Sequence, residues 1–133
     1  MNADLSWVLN DVLQVRGARH AILVSADGLL LERSTDIPRD EAETNAAAMS
    51  SMQSLSRAVA PFVGAGKGVW KQTLIEYDGG WIFLIAAGSG AYLAVSAALD
   101  VDMEAMSFRM HQQVNALGKA MTTPPRQNNG VDV

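Results

Sequence analysis

The chain has 133 residues, of which 49% are hydrophobic and 18% are charged, and it contains no cysteine. This length suits one ordinary hydrophobic core, so we expect a single domain. The lack of cysteine excludes disulfides, thiolate metal sites and thiol catalysis. A reducing cytoplasm is the simplest assumption for the compartment in which the protein works. The net charge of −4 and the scattered basic residues argue against a nucleic-acid partner.

Two features argue against a membrane segment. Asp4 and Asp11 interrupt the first apolar pattern, so we expect no secretory signal. The longest apolar run, from Trp81 to Ala87, is too short to span a bilayer. We therefore expect a soluble cytoplasmic protein without direct membrane insertion, and its recruitment to a membrane by partners stays open.

The first predicted element is an amphipathic helix. Apolar side chains recur at spacings of three and four residues between Leu5 and Leu13. This spacing places them on one helical face and predicts a helix over residues 3–16, ended by Gly17.

A β-hairpin is predicted next. Two short apolar runs, Ala21 to Ala26 and Leu29 to Ser34, are joined by Asp27-Gly28. Both turn residues tolerate the positive φ angles of a two-residue type I′ turn, which indicates two antiparallel strands. With this turn, Val24 would face the same side as Leu31.

A long second helix follows the hairpin. Asp36-Ile37-Pro38 opens it, since proline suits the first helical position, and it is expected to run to Val63. Small and apolar side chains form two stripes along this helix, whereas packing on one face of a sheet requires only one. A wide core-facing surface is one explanation; packing of the second stripe on a partner subunit is the other. The first stripe contains Ala42, Ala46, Met49, Gln53 and Ser56, and the second contains Met52, Leu55, Val59 and Phe62.

Three further strands are predicted at residues 69–77, 81–87 and 91–97, separated by glycine-containing turns. The last two are almost wholly apolar, so we expect both of their faces to be covered at the sheet centre. The polar side chains of the first, such as Lys71 and Gln72, indicate an edge strand. Together with the hairpin, these strands predict a five-stranded antiparallel sheet.

A third helix and a tail complete the chain. Methionines and other apolar residues recur at helical spacing from Met103 to Met121, after the acidic residues Asp100 and Asp102. The methionine stripe suits an adaptable core, with a peptide-binding groove as the alternative. Prolines and asparagines then predict a disordered tail at 122–133, which leaves a single domain at 1–121.

Three features resemble catalytic or ligand sites but lack required residues. The glycine-rich stretch 64–68 lacks the first glycine and the Ser or Thr of a phosphate loop. The acidic stretch 100–104 lacks the central glycine and final glutamate of a calcium loop. A catalytic histidine needs a nucleophile beside it, and nothing in the sequence places one, such as Ser89, next to His20 or His111. We therefore expect no metal, no cofactor and no enzymatic activity.

Basic residues and one aromatic residue suggest contacts with a partner. Arg39, Arg57 or Lys71 could act in trans on a GTPase, although solvated surface charge explains them more simply. Trp70 lies on the predicted edge strand, and large aromatic residues at edges tend to be buried by a partner.

The succession of one helix, two strands, one helix, three strands and one helix resembles the roadblock/LC7 family. The segments that carry the likeness are residues 24–29 (VSADGL), 68–77 (GVWKQTLIEY) and 90–95 (GAYLAV). The resemblance covers residues 3–121. It is greatest to the stand-alone roadblock proteins of actinobacterial conservons, whose operons also encode a sensor-kinase-like protein and a small Ras-like GTPase. It implies an α+β, profilin-like sandwich with the order α-β-β-α-β-β-β-α.

The resemblance also implies partners. It implies a homodimer in which the strand at 69–77 pairs with its symmetry mate while the long second helices lie side by side. Family members bind small Ras-like GTPases, and bacterial Mgl-type regulators accelerate GTP hydrolysis without inserting a catalytic arginine. The family offers no catalytic residues to transfer. By position, it implies a dimer or partner interface at Met49, Met52, Gln53, Ser56, Trp70, Gln72 and Leu74.

Two other functions stay open. A small-molecule sensor of the PAS or profilin type would hold a ligand between the sheet and a helix, with Ser25, Ser96 and His111 as candidate polar groups. An adaptor in a sensor-kinase complex would dimerise equally well but would ignore the nucleotide state of any GTPase. The choice among activation, inhibition and scaffolding of a GTPase is not determined by these residues.

Overall fold

The computed structural model describes residues 4–64, 68–88 and 90–122, without the side chains of residues 121 and 122. Ser89 and the predicted tail beyond residue 122 lie outside these ranges. The elements in chain order are α1 (Ser6–Val12), β1 (Ala18–Ser25), β2 (Leu30–Arg33), α2 (Arg39–Ala58), a 3₁₀ segment (Ala60–Phe62), β3 (Gln72–Tyr77), β4 (Gly80–Ala86), β5 (Ala91–Ala98) and α3 (Met103–Thr122). This order confirms the predicted α-β-β-α-β-β-β-α succession.

The five strands form one antiparallel sheet in the order β2-β1-β5-β4-β3. The apolar strands β5 and β4 lie inside the sheet, and the polar strand β3 lies at an edge, as their compositions predicted. The strand predicted from residue 69 begins only at Gln72. Trp70 instead directs its indole to a side chain of β3, so the preceding residues approach the sheet without joining it.

Helices cover both faces of the sheet. On one face, α1 and α3 enclose a core that includes Leu9, Phe83 and Leu117. Met106 and Met110 are fully buried there, which confirms the core interpretation of the methionine stripe. On the other face, α2 packs through small side chains onto a second core. That core includes Ile22, Val24, Ala42, Ala46, Met49, Leu84 and Ala94.

The hairpin between β1 and β2 corrects the predicted two-residue turn. Gly28 N–H donates to Ser25 O at 3.0 Å, and Ser25 N–H donates to Leu29 O at 2.9 Å, so the loop holds three residues. Gly28 adopts a φ of 92°, which a residue without Cβ reaches at no steric cost. Beside this loop Val24 pairs with Leu30 rather than with Leu31. A bulge between Leu23 and Val24 then restores the register of a two-residue turn, so that Leu23 pairs with Glu32 and Ile22 with Arg33.

Two helices end earlier than their periodicity predicted. The chain beyond Val12 forms tight turns up to Gly17, so α1 does not reach residue 16. The second helix ends at Ala58, and a 3₁₀ segment continues toward Val63. Pro61 explains this break, because it has no N–H to donate to a carbonyl one turn earlier. None of the helices in the described ranges is long and apolar enough to cross a membrane.

Candidate interaction surface

Arg57 ties the C-terminal half of α2 to the sheet. Its Nε donates to Gln53 Oε1 at 2.9 Å, and its Nη2 donates to Tyr92 Oη at 3.1 Å. The guanidinium carbon lies 5.3 Å from the Trp70 ring centroid and 5.7 Å from that of Tyr92, within cation–π range. The two rings are themselves 5.9 Å apart and tilted by 53°. We call Gln53, Arg57, Trp70 and Tyr92 the Arg57 cluster.

These contacts bear on the hypothesis of an arginine acting in trans. Such an arginine must project from the surface toward the partner's phosphate. Arg57 is held by two hydrogen bonds and two aromatic rings, and Arg39 lies 3.5 Å from Glu43 in an exposed ion pair. Releasing Arg57 would break the whole cluster, so its geometry favours a structural role.

Thr73 joins Trp70 and α2 to the edge strand. Trp70 Nε1 donates to Thr73 Oγ1 at 2.9 Å, and the hydroxyls of Ser56 and Thr73 are 2.6 Å apart. Because an indole nitrogen only donates, Thr73 accepts from Trp70 and keeps its own proton available for Ser56. The predicted interface residues Ser56 and Trp70 thus meet at one side chain of β3.

The remaining predicted interface residues of α2 are largely covered by their own chain. Met49 and Gln53 are each 7% exposed, and Met52 is half-buried against the core under α2. Little of the surface of Met49 or Gln53 is left for a partner. The structure brings these three residues close to Ser56 and Trp70, and their interface role stays a prediction.

The two predicted interface residues of β3 lie on the opposite face of the sheet. Gln72 Oε1 accepts a hydrogen bond from the Ser107 hydroxyl of α3 at 3.3 Å. Leu74 pairs with Phe83, whose side chain belongs to the core under α1 and α3. An interface that includes the whole predicted set must therefore extend around the β3 edge.

A row of exposed apolar side chains marks the end of α2 and the 3₁₀ segment. Phe62 is 95% exposed, and the other three members are more than half exposed. Three of them, Leu55, Val59 and Phe62, belong to the second predicted stripe of α2, for which packing on a partner subunit was one of two predicted explanations. The interface residues implied by the resemblance did not include them. We call Leu55, Val59, Phe62 and Val63 the apolar stripe.

The edge strand β3 has a backbone side that faces no other described strand. It pairs only with β4, through a two-residue turn flanked by Tyr77 and Gly80. Such a flanking pair exchanges backbone hydrogen bonds, and the bonding direction alternates along an antiparallel strand. The residues whose N–H and C=O groups point away from β4 are therefore Gln72, Leu74 and Glu76.

The described residues contain no metal-binding group of three or more acidic or histidine side chains. His20 Nδ1 lies 3.1 Å from Asp36 Oδ1, whereas His111 Nδ1 contacts a carbonyl of its own helix at 2.8 Å. Asp102 Oδ1 accepts a hydrogen bond from Ala105 N–H at 3.0 Å, so this acidic side chain caps the first turn of α3. The two histidines therefore have separate local partners.

Asp36 links β1 to the start of α2 through its contact with His20. Burial alone would raise the pKa of Asp36, but polar contacts with His20 and Ser34 and the charge of His20 outweigh it. The pKa of Asp36 therefore lies below its ordinary value. The imidazole contact is close but not ideally aligned, since Nδ1 is shielded from solvent without a well-directed hydrogen bond.

The family model of the Roadblock/LC7 domain matches residues 6–97. This chain belongs to the Roadblock/LC7 family. The matched range of this roadblock chain includes the Arg57 cluster, the apolar stripe and β3, whereas α3 lies beyond it. A comparison with curated proteins found no match.

Solved structures agree with this assignment. The crystal structure of a Roadblock/LC7 domain from Streptomyces avermitilis is 30% identical, with a TM-score of 0.83 over 91% of this chain and 100% of that one. Myxococcus xanthus MglB is 14% identical, with a TM-score of 0.80 over 90% of this chain and 96% of its own. A chain of the LokiProfilin2–rabbit actin complex is 9% identical, with a TM-score of 0.56 over 90% and 98%. The last two likenesses concern the fold alone, and they confirm a profilin-like α+β sandwich.

Proposed function

We propose that this roadblock chain is a non-enzymatic, dimeric regulator that binds a small Ras-like GTPase and modulates its GTP hydrolysis or nucleotide exchange. The observation that carries the proposal is the outward-facing backbone of β3 next to the apolar stripe. An unprotected edge strand beside exposed apolar side chains is a surface that soluble proteins usually cover with a partner.

In the proposed homodimer, β3 pairs with β3 of a second copy across a two-fold axis. The outward N–H and C=O groups would continue the sheet, and the apolar stripes would be buried at the same time. Fully burying one large apolar side chain contributes about 1.5–3 kcal/mol, against an association cost of roughly 4–15 kcal/mol. Backbone pairing alone cannot meet this cost, so the stripe is the expected source of affinity.

Binding of a GTPase is supported by family membership and by the likeness to MglB. A regulator without a catalytic site can act by binding one conformation of the GTPase switch segments more tightly than the other. The engaged position of Arg57 favours this mechanism over insertion of an arginine. The proposal places the protein in the cytoplasm, where a sensor-kinase-like protein could be a further partner.

The test is an affinity pull-down with the tagged full chain from a lysate of the source cells. The lysate is loaded in parallel with GDP or a non-hydrolysable GTP analogue, and bound proteins are identified by mass spectrometry. A Ras-like GTPase enriched in one nucleotide state would support the regulator, and purified GTPase would then be used to measure hydrolysis and exchange rates. A GTPase bound equally in both states would favour the adaptor, and the lack of any GTPase would contradict the proposal.

A further inference from the structure

A cavity of about 160 Å³ lies between α2 and the sheet. None of the apolar-stripe residues lines it. Its apolar wall includes Ile22 and Ile82 from the sheet and Met49 from α2. Ala94 of the central strand also lines it, and this short side chain leaves a space that a larger one would fill.

Four polar side chains also line the cavity. His20 and Ser96 are paired on neighbouring strands, and the Ser96 hydroxyl accepts a hydrogen bond from His20 N–H at 3.2 Å. Glu41 and Asn45 lie one turn apart on α2. Neither of their side chains has a polar partner within the part of the chain that the structure describes. Glu41 is exposed, so the cavity reaches solvent at its carboxylate.

The size of the cavity limits the ligand. An engineered protein cavity of about 150 Å³ holds benzene or xenon, whereas pockets for drug-sized ligands measure roughly 300–1,000 Å³. A nucleotide or a flavin is therefore too large, and a single ring or a short alkyl chain with one polar group would fit.

The charges around the cavity indicate which polar group is favoured. No lysine or arginine lines it, and Glu41 supplies a carboxylate without a partner. A second carboxylate, that of Asp36, contacts the lining residue His20, with 3.1 Å between Asp36 Oδ1 and His20 Nδ1. Arg33 does not line the cavity, and its Nη1 donates to the backbone carbonyl of the lining residue Ile37 at 2.8 Å. This environment favours a cation over an anion.

We propose that this cavity binds a small organic cation, namely a primary ammonium group on a short hydrocarbon body. The hydrocarbon lies against Ile22, Ile82 and Met49, and the ammonium group donates to Glu41 and to the Asn45 amide oxygen. Ammonium donors match both acceptors, and a hydrogen bond between charged groups is about twice as strong as a neutral one. None of the apolar-stripe residues lines the site, whereas Met49, one of the predicted interface residues, does.

The test compares three probes that share one ring and differ in charge: benzylamine, benzyl alcohol and benzoate. Each is titrated into the full chain and followed by calorimetry and by amide chemical shifts. Benzylamine should bind at least about tenfold more tightly than benzyl alcohol, as expected for one charge-assisted hydrogen bond. Benzoate should show no saturable binding. The shifted amides should include those of Asn45, Ala94 and Ser96.

Two variants and one control locate the site. Glu41→Gln should weaken benzylamine binding about tenfold and leave benzyl alcohol unaffected, because only the charge is removed. Asn45→Leu should weaken both probes by filling the cavity, with circular dichroism used to verify folding. Glu43→Gln is the matched control, since Glu43 lies on the same helix, pairs with Arg39 at 3.5 Å and does not line the cavity.

Several outcomes would overturn the proposal. Equal affinities for the three probes, no saturable benzylamine binding, or shifts confined to another surface would each do so. An equal loss of benzylamine affinity in Glu41→Gln and Glu43→Gln would show only a general charge effect. Tighter binding of Nα-acetyl-lysine methylamide than of benzylamine would identify a lysine side chain of another protein as the occupant, and the assignment to a free small molecule would be wrong.

Discussion

The guanidinium carbon of Arg57 lies 5.3 Å from the ring centroid of Trp70. The two residues belong to different segments, the end of α2 and the stretch before β3. Their contact, together with the hydrogen bond from Trp70 to Thr73, holds the helix next to the edge strand. These contacts therefore fix the position of the apolar stripe relative to the β3 edge, as an interface formed by both would require.

Arg57→Lys should lower the free energy of unfolding by about 1–2 kcal/mol. Lysine carries the charge but cannot stack on Trp70 while bonding Gln53 and Tyr92 at once. Urea denaturation measures the change. Arg39→Lys is the control, because its exposed ion pair should contribute no more than about 0.5 kcal/mol. Equal effects of the two substitutions would mean that the Arg57 cluster contributes little to stability.

Gln72→Pro should disrupt the dimer, because Gln72 directs its N–H away from β4 and proline has no such donor. Gln72→Ala keeps the donor and loses the same side-chain contact with Ser107, so it should dimerise normally. Light scattering gives the oligomeric state, and the melting temperature checks that both variants are folded. A Gln72→Pro dimer of unchanged stability would place the interface elsewhere.

Leu55→Asp should weaken self-association at least about tenfold, since it would bury an unpaired carboxylate at the interface. Leu29→Asp is the matched control: Leu29 is 63% exposed and Leu55 is 67% exposed, but Leu29 lies beside the β1–β2 loop. Sedimentation velocity over a concentration series compares the two variants with the unmodified chain. Weakening of similar size in both would exclude the apolar stripe as the specific contact.

Asp36→Asn should reduce stability near neutral pH but not in acid. The pKa of Asp36 in the folded chain is lowered from 3.8, so its ionised form contributes stability above that value, and this contribution is lost as the pH falls through the folded pKa. The side chain is 55% exposed, so the effect should stay below about 1 kcal/mol. Unfolding curves across this pH range, with Asp78→Asn as an exposed control, measure it. A constant difference between Asp36→Asn and the unmodified chain down to the lowest pH would contradict the assignment.

Deletion of residues 124–133 should leave the melting temperature unchanged. This prediction rests on the polar, proline-containing sequence of the tail, which lies outside the described residues. Differential scanning calorimetry of the full and shortened chains tests it. A fall of several degrees would show that the tail packs on the domain.

Several features could be predicted because their signals are local. The polar residues of β3 indicated an edge, and the spacing of Met106 and Met110 indicated a core-facing helix. The predicted hairpin register was wrong only beside the turn, because Asp27-Gly28 suits both a two-residue and a three-residue loop. The break before Pro61 was also missed, since apolar periodicity continues into the 3₁₀ segment and masks the end of the helix.

The candidate interface was harder to predict, because both stripes of α2 consist mainly of small or apolar side chains at the same helical spacing. Burial of Met49 and Gln53 shows that the first stripe faces the core, which leaves the second at the surface. The cavity could not be found from sequence, because it depends on how Ala94 of the sheet lies opposite α2.

The order of helices and strands and the polar character of the edge strand can be read from the sequence, because periodicity and turn chemistry act between near neighbours. Which face of α2 is covered, and which partners Arg57 and Trp70 have, depends on how the chain packs in three dimensions. The packing also explains why position 80 requires glycine: an added Cβ would clash with the Ala97 carbonyl oxygen. Such contacts join residues far apart in the chain, and their geometry is set only when the sheet and helices pack together.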